Sequence, residues 1–224
     1  MTPNLRRLLI PLLSTLVMLG ILISLGTWQL HRLAWKTDLL GQIDRAEQLP
    51  AIPMPDQPTQ FQKVRLEGQF LSDTQGFYAA ELRDGVLGAQ LIVPVLRPGK
   101  PTVLVDLGWV PDNAPRPIPI APGPVDGFIR DAETAGPFSA KDNPATHRFY
   151  TLDPAAIGAG LGQSNVAPYV LFAIGPSVAG QYPSPATALP RPPNDHLQYA
   201  LTWFGFAVTL VIIFLLYARK VLTT

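Results

Sequence analysis

Two charge-free apolar runs, Leu8 to Leu30 and Leu197 to Ala218, stand near opposite ends of this sequence. Each reaches the roughly 20 residues that, at about 1.5 Å rise, cross about 30 Å of hydrocarbon. A backbone without water partners must satisfy itself, so each run is expected to be a transmembrane helix. Whatever folds between them is tied to a lipid bilayer at both ends. Pro11 lies near the start of the first run, where a helix tolerates it, and Gly20 and Gly26 leave small surfaces for a neighbouring helix. The two helices are expected to pack together.

Arg6 and Arg7 precede the first run as they would in a signal peptide. Its apolar core is nevertheless longer than the roughly 7 to 15 residues of an h-region, and the exit Trp28-Gln29-Leu30-His31-Arg32 has no small-residue cleavage site. It reads as an uncleaved anchor. Arg6, Arg7, Arg219 and Lys220 flank the outer ends of the runs, while every acidic residue lies between them. The positive-inside rule therefore places both termini in the cytoplasm, although Arg32 and Lys36 nearly balance Arg6 and Arg7. Arg219 and Lys220 against Arg191 decide the orientation.

The intervening residues, 31–195, suit one compact domain on the outer side of the membrane. Cysteine is absent, which removes disulfides and thiolate metal sites. Short stretches rich in β-branched and aromatic residues recur between Gly and Pro: Phe61 to Phe70, Phe77 to Leu82, Leu91 to Leu96, Thr102 to Val110, Val125 to Arg130, Arg148 to Leu152 and Tyr169 to Ala173. The expected fold is membrane α+β, two transmembrane helices flanking a mainly antiparallel β domain that faces outward. Five prolines between Trp109 and Pro124 make that stretch a loop, and a second proline-rich stretch, Pro176 to Pro193, reads as an extended linker to the second helix. Trp35 to Glu47 is mixed in charge and is expected to prolong the first helix.

Chemistry-bearing patterns are sparse. There is no His-Glu zinc spacing, GxSxG elbow or phosphate loop. His147, Ser139, Asp142 and Asp153 allow a hydrolase triad on paper, but a surface histidine at a strand start explains His147 more simply. With 17 cationic against 16 acidic residues and no basic patch, nucleic acid is not an expected partner. That leaves the membrane boundary. His196 opens the second helix, with Tyr199 and Trp203 below it. Seven residues turn a helix through about 700°, so His196 and Trp203 lie within about 20° of each other and about 10 Å apart along the axis, with Tyr199 about 60° away. A histidine so placed can ligate a haem iron while the aromatics support the porphyrin edge; the same residues can simply anchor a helix at the interface. Periodicity leaves both readings open.

Three segments carry a resemblance. LGTWQLHRLAWK (Leu25 to Lys36), VLVDLGWVP (Val103 to Pro111) and NDHLQYALTWFG (Asn194 to Gly205) resemble, in order, signatures of the surfeit locus protein 1 family, membrane proteins that assist assembly of haem-copper cytochrome c oxidase. The resemblance spans nearly the whole chain. The proline loop after Val110 and the stretch Gly158 to Val166 carry no signature.

The resemblance implies an assembly factor, not an enzyme, that holds haem a for subunit I of the oxidase, with haem a synthase as a second partner. The family histidine falls on His196, the expected ligand of the haem iron, and the family tryptophan on Trp203. Tyr199 joins them on the same helix. On the first helix, His31 offers a second axial ligand, Trp28 and Trp35 flank it, and Arg32 and Lys36 are placed for propionates, although snorkelling cations and interfacial tryptophans are the plainer explanation. Asp195 could orient His196, and Gly108 and Trp109 read as a strand end packed under the proline loop. Without an Arg- and Ser-rich transit segment ahead of the first helix, a bacterial plasma (inner) membrane is expected. The domain plan is then residues 1–7 cytoplasmic, 8–30 transmembrane, 31–195 periplasmic, 196–218 transmembrane and 219–224 cytoplasmic. A membrane-tethered scaffold that never ligates haem, and an outward-facing hydrolase using His147, are the rival readings.

Overall fold

The computed structural model describes residues 3 to 223, with side chains from Arg6 onward. Two compact units emerge, one made of residues 1–42 and 191–224 and the other of Ile43–Pro190.

The first unit is a helix pair. Helix α1 runs unbroken over Pro3–Gln48, its last turns falling within the second unit, and α3 spans His196–Thr223. Both are long and apolar enough to cross a membrane. Mixed-charge Trp35 to Glu47 does prolong the first helix, helped by an i,i+4 bond from Gln42 Nε2 to Asp38 at 2.9 Å. The more sheltered residues of α1 recur at Leu22, Gly26, Gln29 and Leu33, and those of α3 at His196, Ala200, Trp203, Ala207 and Leu210. Alternating steps of three and four are the signature of two helices meeting along a seam. Phe204 lies against Gly26, where a Cβ would stand 2.7 Å from its ring, whereas Gly20 has open space above it. Successive contacts climb α1 while descending toward the start of α3, so the helices are antiparallel.

The second unit is built on one nine-stranded sheet. Its strands are β1 (Ile52–Pro53), β2 (Lys63–Leu66), β3 (Gln69–Phe70), β4 (Gly76–Arg83), β5 (Val86–Arg97), β6 (Lys100–Pro111), β7 (Val125–Asp131), β8 (Arg148–Phe149) and β9 (Val166–Ala173). They lie in the order β1-β2-β7-β9-β6-β5-β4-β8, with β3 beside the far end of β5. Every expected strand region forms, but the sheet is mixed rather than mainly antiparallel: β1 with β2, β4 with β8 and β6 with β9 run parallel. The cause is a crossover. After β7 the chain crosses to the opposite edge as β8, then runs through helix α2 (Pro154–Gly160) and returns as β9 between β7 and β6, parallel to β6.

Burial on both faces accounts for the unbroken apolar strands. Residues Leu91, Val93 and Val95 of β5, Val103 and Val105 of β6, and Tyr169 and Leu171 of β9 enter one core, roofed by Ile118 of the first proline loop. Ile92, Leu104 and Val170 point the other way and meet Ile157 and Leu161 of α2, with Phe149 and Leu152. Full burial of one such side chain stabilises by about 1.5 to 3 kcal/mol. Asp153 caps α2, accepting from the N–H groups of Ala155 and Ala156. The proline loop, poor in backbone donors, is held by one amide: Gln75 donates to the Ile118 carbonyl at 2.8 Å and accepts from its N–H at 2.9 Å.

The second proline-rich stretch is not a free linker along its whole length. Ser184 exchanges two backbone hydrogen bonds of 2.9 Å with Trp109, and Ala186 pairs with Ile174. Gly108 permits this approach. Its φ is +118°, and a Cβ there would lie 2.1 Å from the Ser184 carbonyl oxygen. Trp109 is therefore packed beneath the second proline-rich stretch rather than the first, edge-on to Tyr182 at 5.6 Å.

Candidate functional site

His196 caps the seam of the helix pair. Its Nδ1 lies 2.7 Å from Oε1 of Gln29, and an amide oxygen only accepts, so Nδ1 is the donor and, in the neutral ring, Nε2 carries the lone pair. Gln29 is 9% exposed, placed there by the spacing that also buries Leu22 and Gly26. The orienting partner is thus Gln29 across the seam, not the neighbouring Asp195, whose carbonyl accepts from the Tyr199 N–H within α3. Nearby, Asn194 Nδ2 donates to Thr37 Oγ1 at 3.4 Å, and the buried Asn194 Oδ1 has no partner among the described residues.

Trp203 follows His196 on the same side of α3, half-buried and edge-on to Phe206 at 6.2 Å. Tyr199 stands off the seam and is exposed. An open cleft of about 580 Å³ along α3, lined by Asn194, Leu197, Leu201 and Thr202 among others, is on the side away from His196 and Trp203.

On α1, Trp28, Arg32 and Trp35 share a face about 100° from Gln29. Arg32 stacks over Trp35, its guanidinium carbon 4.4 Å from the ring centre, and the Lys36 ammonium lies 5.9 Å from the same ring. Both tryptophans are about half exposed, as interfacial residues are. His31 projects about 200° round the helix from Gln29 and is exposed. The helix pair therefore brings His196 and Gln29 together, leaves Trp203 two turns further along the same side of α3, sets Trp28, Arg32 and Trp35 on a flank with Lys36 nearer the line of Gln29, and turns His31 away.

The paper triad does not assemble. His147 Nδ1 faces the Gln75 carbonyl at 3.0 Å, Ser139 Oγ accepts from the Gly136 N–H, Asp142 accepts from the Tyr150 N–H, and Asp153 caps α2. Among the described residues no group of three or more His, Cys, Asp or Glu could hold a metal ion.

The domain holds one buried carboxyl, Asp106, within the motif that also supplies Gly108 and Trp109. Oδ1 accepts from the Gly108 N–H at 2.8 Å, while Oδ2 is buried without a partner. Burial pushes its pKa up to about 7, against the lowering pull of the Gly108 hydrogen bond and Arg130. Tyr78 is likewise raised to about 12, first by burial and then by Glu133. Gln29 and Asp106 were both missed in the sequence reading. The signal for Gln29 was a lone amide inside an apolar run, seven residues after Leu22.

A SURF1-like protein of Rickettsia felis is 28% identical over 222 residues, covering 94% of this chain and 98% of that protein. Surfeit locus protein 1 of Homo sapiens is 26% identical over 214 residues, covering 82% of this chain and 69% of the human protein, and that of Mus musculus is 26% identical over 211 residues. The profile of the SURF1 family matches residues 16–208, which takes in α1 from Leu16 onward, the whole sheet domain and the seam residues of α3 as far as Ala207. The chain belongs to the SURF1 family.

Proposed function

We propose that this protein is a membrane-bound assembly factor for haem-copper cytochrome c oxidase that holds haem a through His196 and assists its insertion into subunit I. The observation that carries this reading is the His196–Gln29 hydrogen bond, which consumes Nδ1 and leaves Nε2 as the nitrogen able to bind iron. Trp203 on the same side of α3 supplies an aromatic contact, and Arg32 and Lys36 supply cations at the outer end of α1 for carboxylates. The orphaned Asn194 Oδ1 adds an unspent acceptor at the same end of the seam. A bound haem would supply the iron and the delocalised ring; His196 would hold the iron, Trp203 would contact the ring, and Arg32 and Lys36 would meet its carboxylates. No bond of a substrate is made or broken by these residues, so the role is binding and handover, with haem a synthase as the donor side of the exchange.

The same reading sets the protein in a bacterial plasma membrane, both termini cytoplasmic and the sheet domain periplasmic. Purified in detergent after co-expression with haem a synthesis, wild-type protein is expected to show a Soret band that His196→Ala loses. Equal Soret absorbance in both proteins would refute ligation.

A second reading draws on the same bond. A histidine engaged across a helix seam also serves as polar glue between spans, and a scaffold that binds the oxidase subunit needs nothing more of it. That scaffold keeps its oxidase partner in co-purification after His196→Ala and never shows a Soret band.

A further inference from the structure

We propose that Gln29 is the positioning residue of the His196 site: its carbonyl oxygen locks the imidazole in the Nδ1–H form and so selects Nε2 as the iron-binding nitrogen. This rests on the haem reading of His196. Four hydroxyl side chains of the helix pair spend their hydrogen bonds locally. Ser14, Thr27, Thr202 and Thr209 each donate to a carbonyl three or four residues back in their own helix. Gln29 instead reaches across the seam to the one histidine there, although it too has its own helix beside it.

Its surroundings make the choice binding. Gln29 is 9% exposed within a stripe that includes Leu22 and Gly26, and an amide that loses its partner in such a place costs about 1 to 3 kcal/mol. The ring is equally constrained, since rotating it to present Nδ1 outward would strand the amide oxygen. An acceptor on the far nitrogen also makes Nε2 a stronger donor to a metal, a lever that typically changes metal affinity by about 10- to 100-fold. Gln29 thus touches no iron itself and acts only through His196.

Nitrogen NMR of the haem-free, full-length protein in detergent tests the tautomer directly. The His196 ring is expected to carry its proton on Nδ1; a proton on Nε2 would overturn the proposal without any haem being present. In haem-loaded protein, Gln29→Met, which keeps the volume but removes the acceptor, is expected to lose haem affinity by about tenfold or more. Gln29→Glu, which can only accept, should restore occupancy and move the midpoint potential below that of wild type, because a carboxylate draws more strongly on the Nδ1 proton. Mere seam packing would give neither the rescue nor the shift. If Gln29→Met binds haem with wild-type affinity and potential while His196→Ala loses it, Gln29 does not position the ligand. If His196→Ala itself keeps the haem, the ligation reading fails first and takes this proposal with it.

Discussion

Trp109 and Trp203 each mark a stretch shared with the family, yet their surroundings differ in kind. Trp109 is 5% exposed and occupied on every side: its backbone pairs with Ser184, its ring nitrogen donates to the Glu81 carbonyl at 3.2 Å, Tyr182 meets its edge and Arg83 lies over its face. Trp203 is half-buried, two turns along the same side of α3 from His196, and its one ring contact among the described residues is Phe206. A tryptophan with every contact spent is a fastener, whereas one at a partly open seam is available to a ligand. The contrast does not extend to the buried polar groups: each unit keeps one buried oxygen without a partner among the described residues, Oδ2 of Asp106 in the domain and Oδ1 of Asn194 in the helix pair.

The sharpest way to break the fastener side of that contrast is Gly108→Val. A side chain there meets the Ser184 carbonyl and a φ that L residues rarely adopt, so a loss of about 3 kcal/mol or more is expected. Limited proteolysis should then cut within Pro176 to Pro190 at temperatures where wild type resists; unchanged cleavage would remove the fastening role from this motif.

Next in size is Asp106. Its folded pKa of about 7 lies above the unfolded value near 3.8, so the folded state holds the proton longer than the unfolded chain does. Its stabilising contribution is complete below about pH 4 and is lost as pH rises toward 7, at about 1.4 kcal/mol per unit. From pH 5 to pH 8 the loss is about 2 to 3 kcal/mol. Asp106→Asn cannot ionise, so its melting temperature should be flatter across that range and higher than wild type at pH 8. Parallel melting curves for the two proteins would show that Asp106 is ionised without penalty.

The helix pair should respond more mildly. Gly26→Leu pushes on the Phe204 ring and is expected to loosen the seam by about 1 to 2 kcal/mol, helped by the ring's freedom to swing. Because the chain has no cysteine, a Thr37→Cys, Asn194→Cys pair reports seam closure by disulfide yield, and Gly26→Leu should lower that yield. Smallest of all is Arg65→Ala on the sheet surface. The Arg65–Asp126 pair is bidentate, but its side chains are 54% and 40% exposed, and the melt should stay within error.

Much of this architecture was legible from the residues. The two apolar runs, the strand regions and the α1 extension follow from hydropathy and period, which are local signals. What was not legible depends on distant partners. Alternation of apolar residues marks a strand but does not say which strand lies beside it, so the parallel return of β9 stayed hidden until α2 was seen. Helix α2 is short and holds three alanines and two glycines with little apolar pattern beyond Ile157, and its strongest local mark, Asp153 followed by Pro154, resembles a turn. At the site, helical period alone aligned His196 with Trp203. It could not reveal that Gln29, more than 160 residues earlier, supplies the bond to the ring, because that partnership is a property of the helix pair.

One feature of the sheet bears on how any partner protein must approach. Both ends of the strand order are finished by two-residue strands, β1 with its proline and β8, and where β4 runs on beyond β8 it is interrupted between Tyr78 and Glu81 with Ala79 at φ 58°. Short, kinked and proline-bearing margins deny a newcomer the ladder of backbone groups needed to add a strand. Strand addition at these two margins is therefore disfavoured, which leaves the side-chain surfaces of the sheet domain to any protein that docks on it.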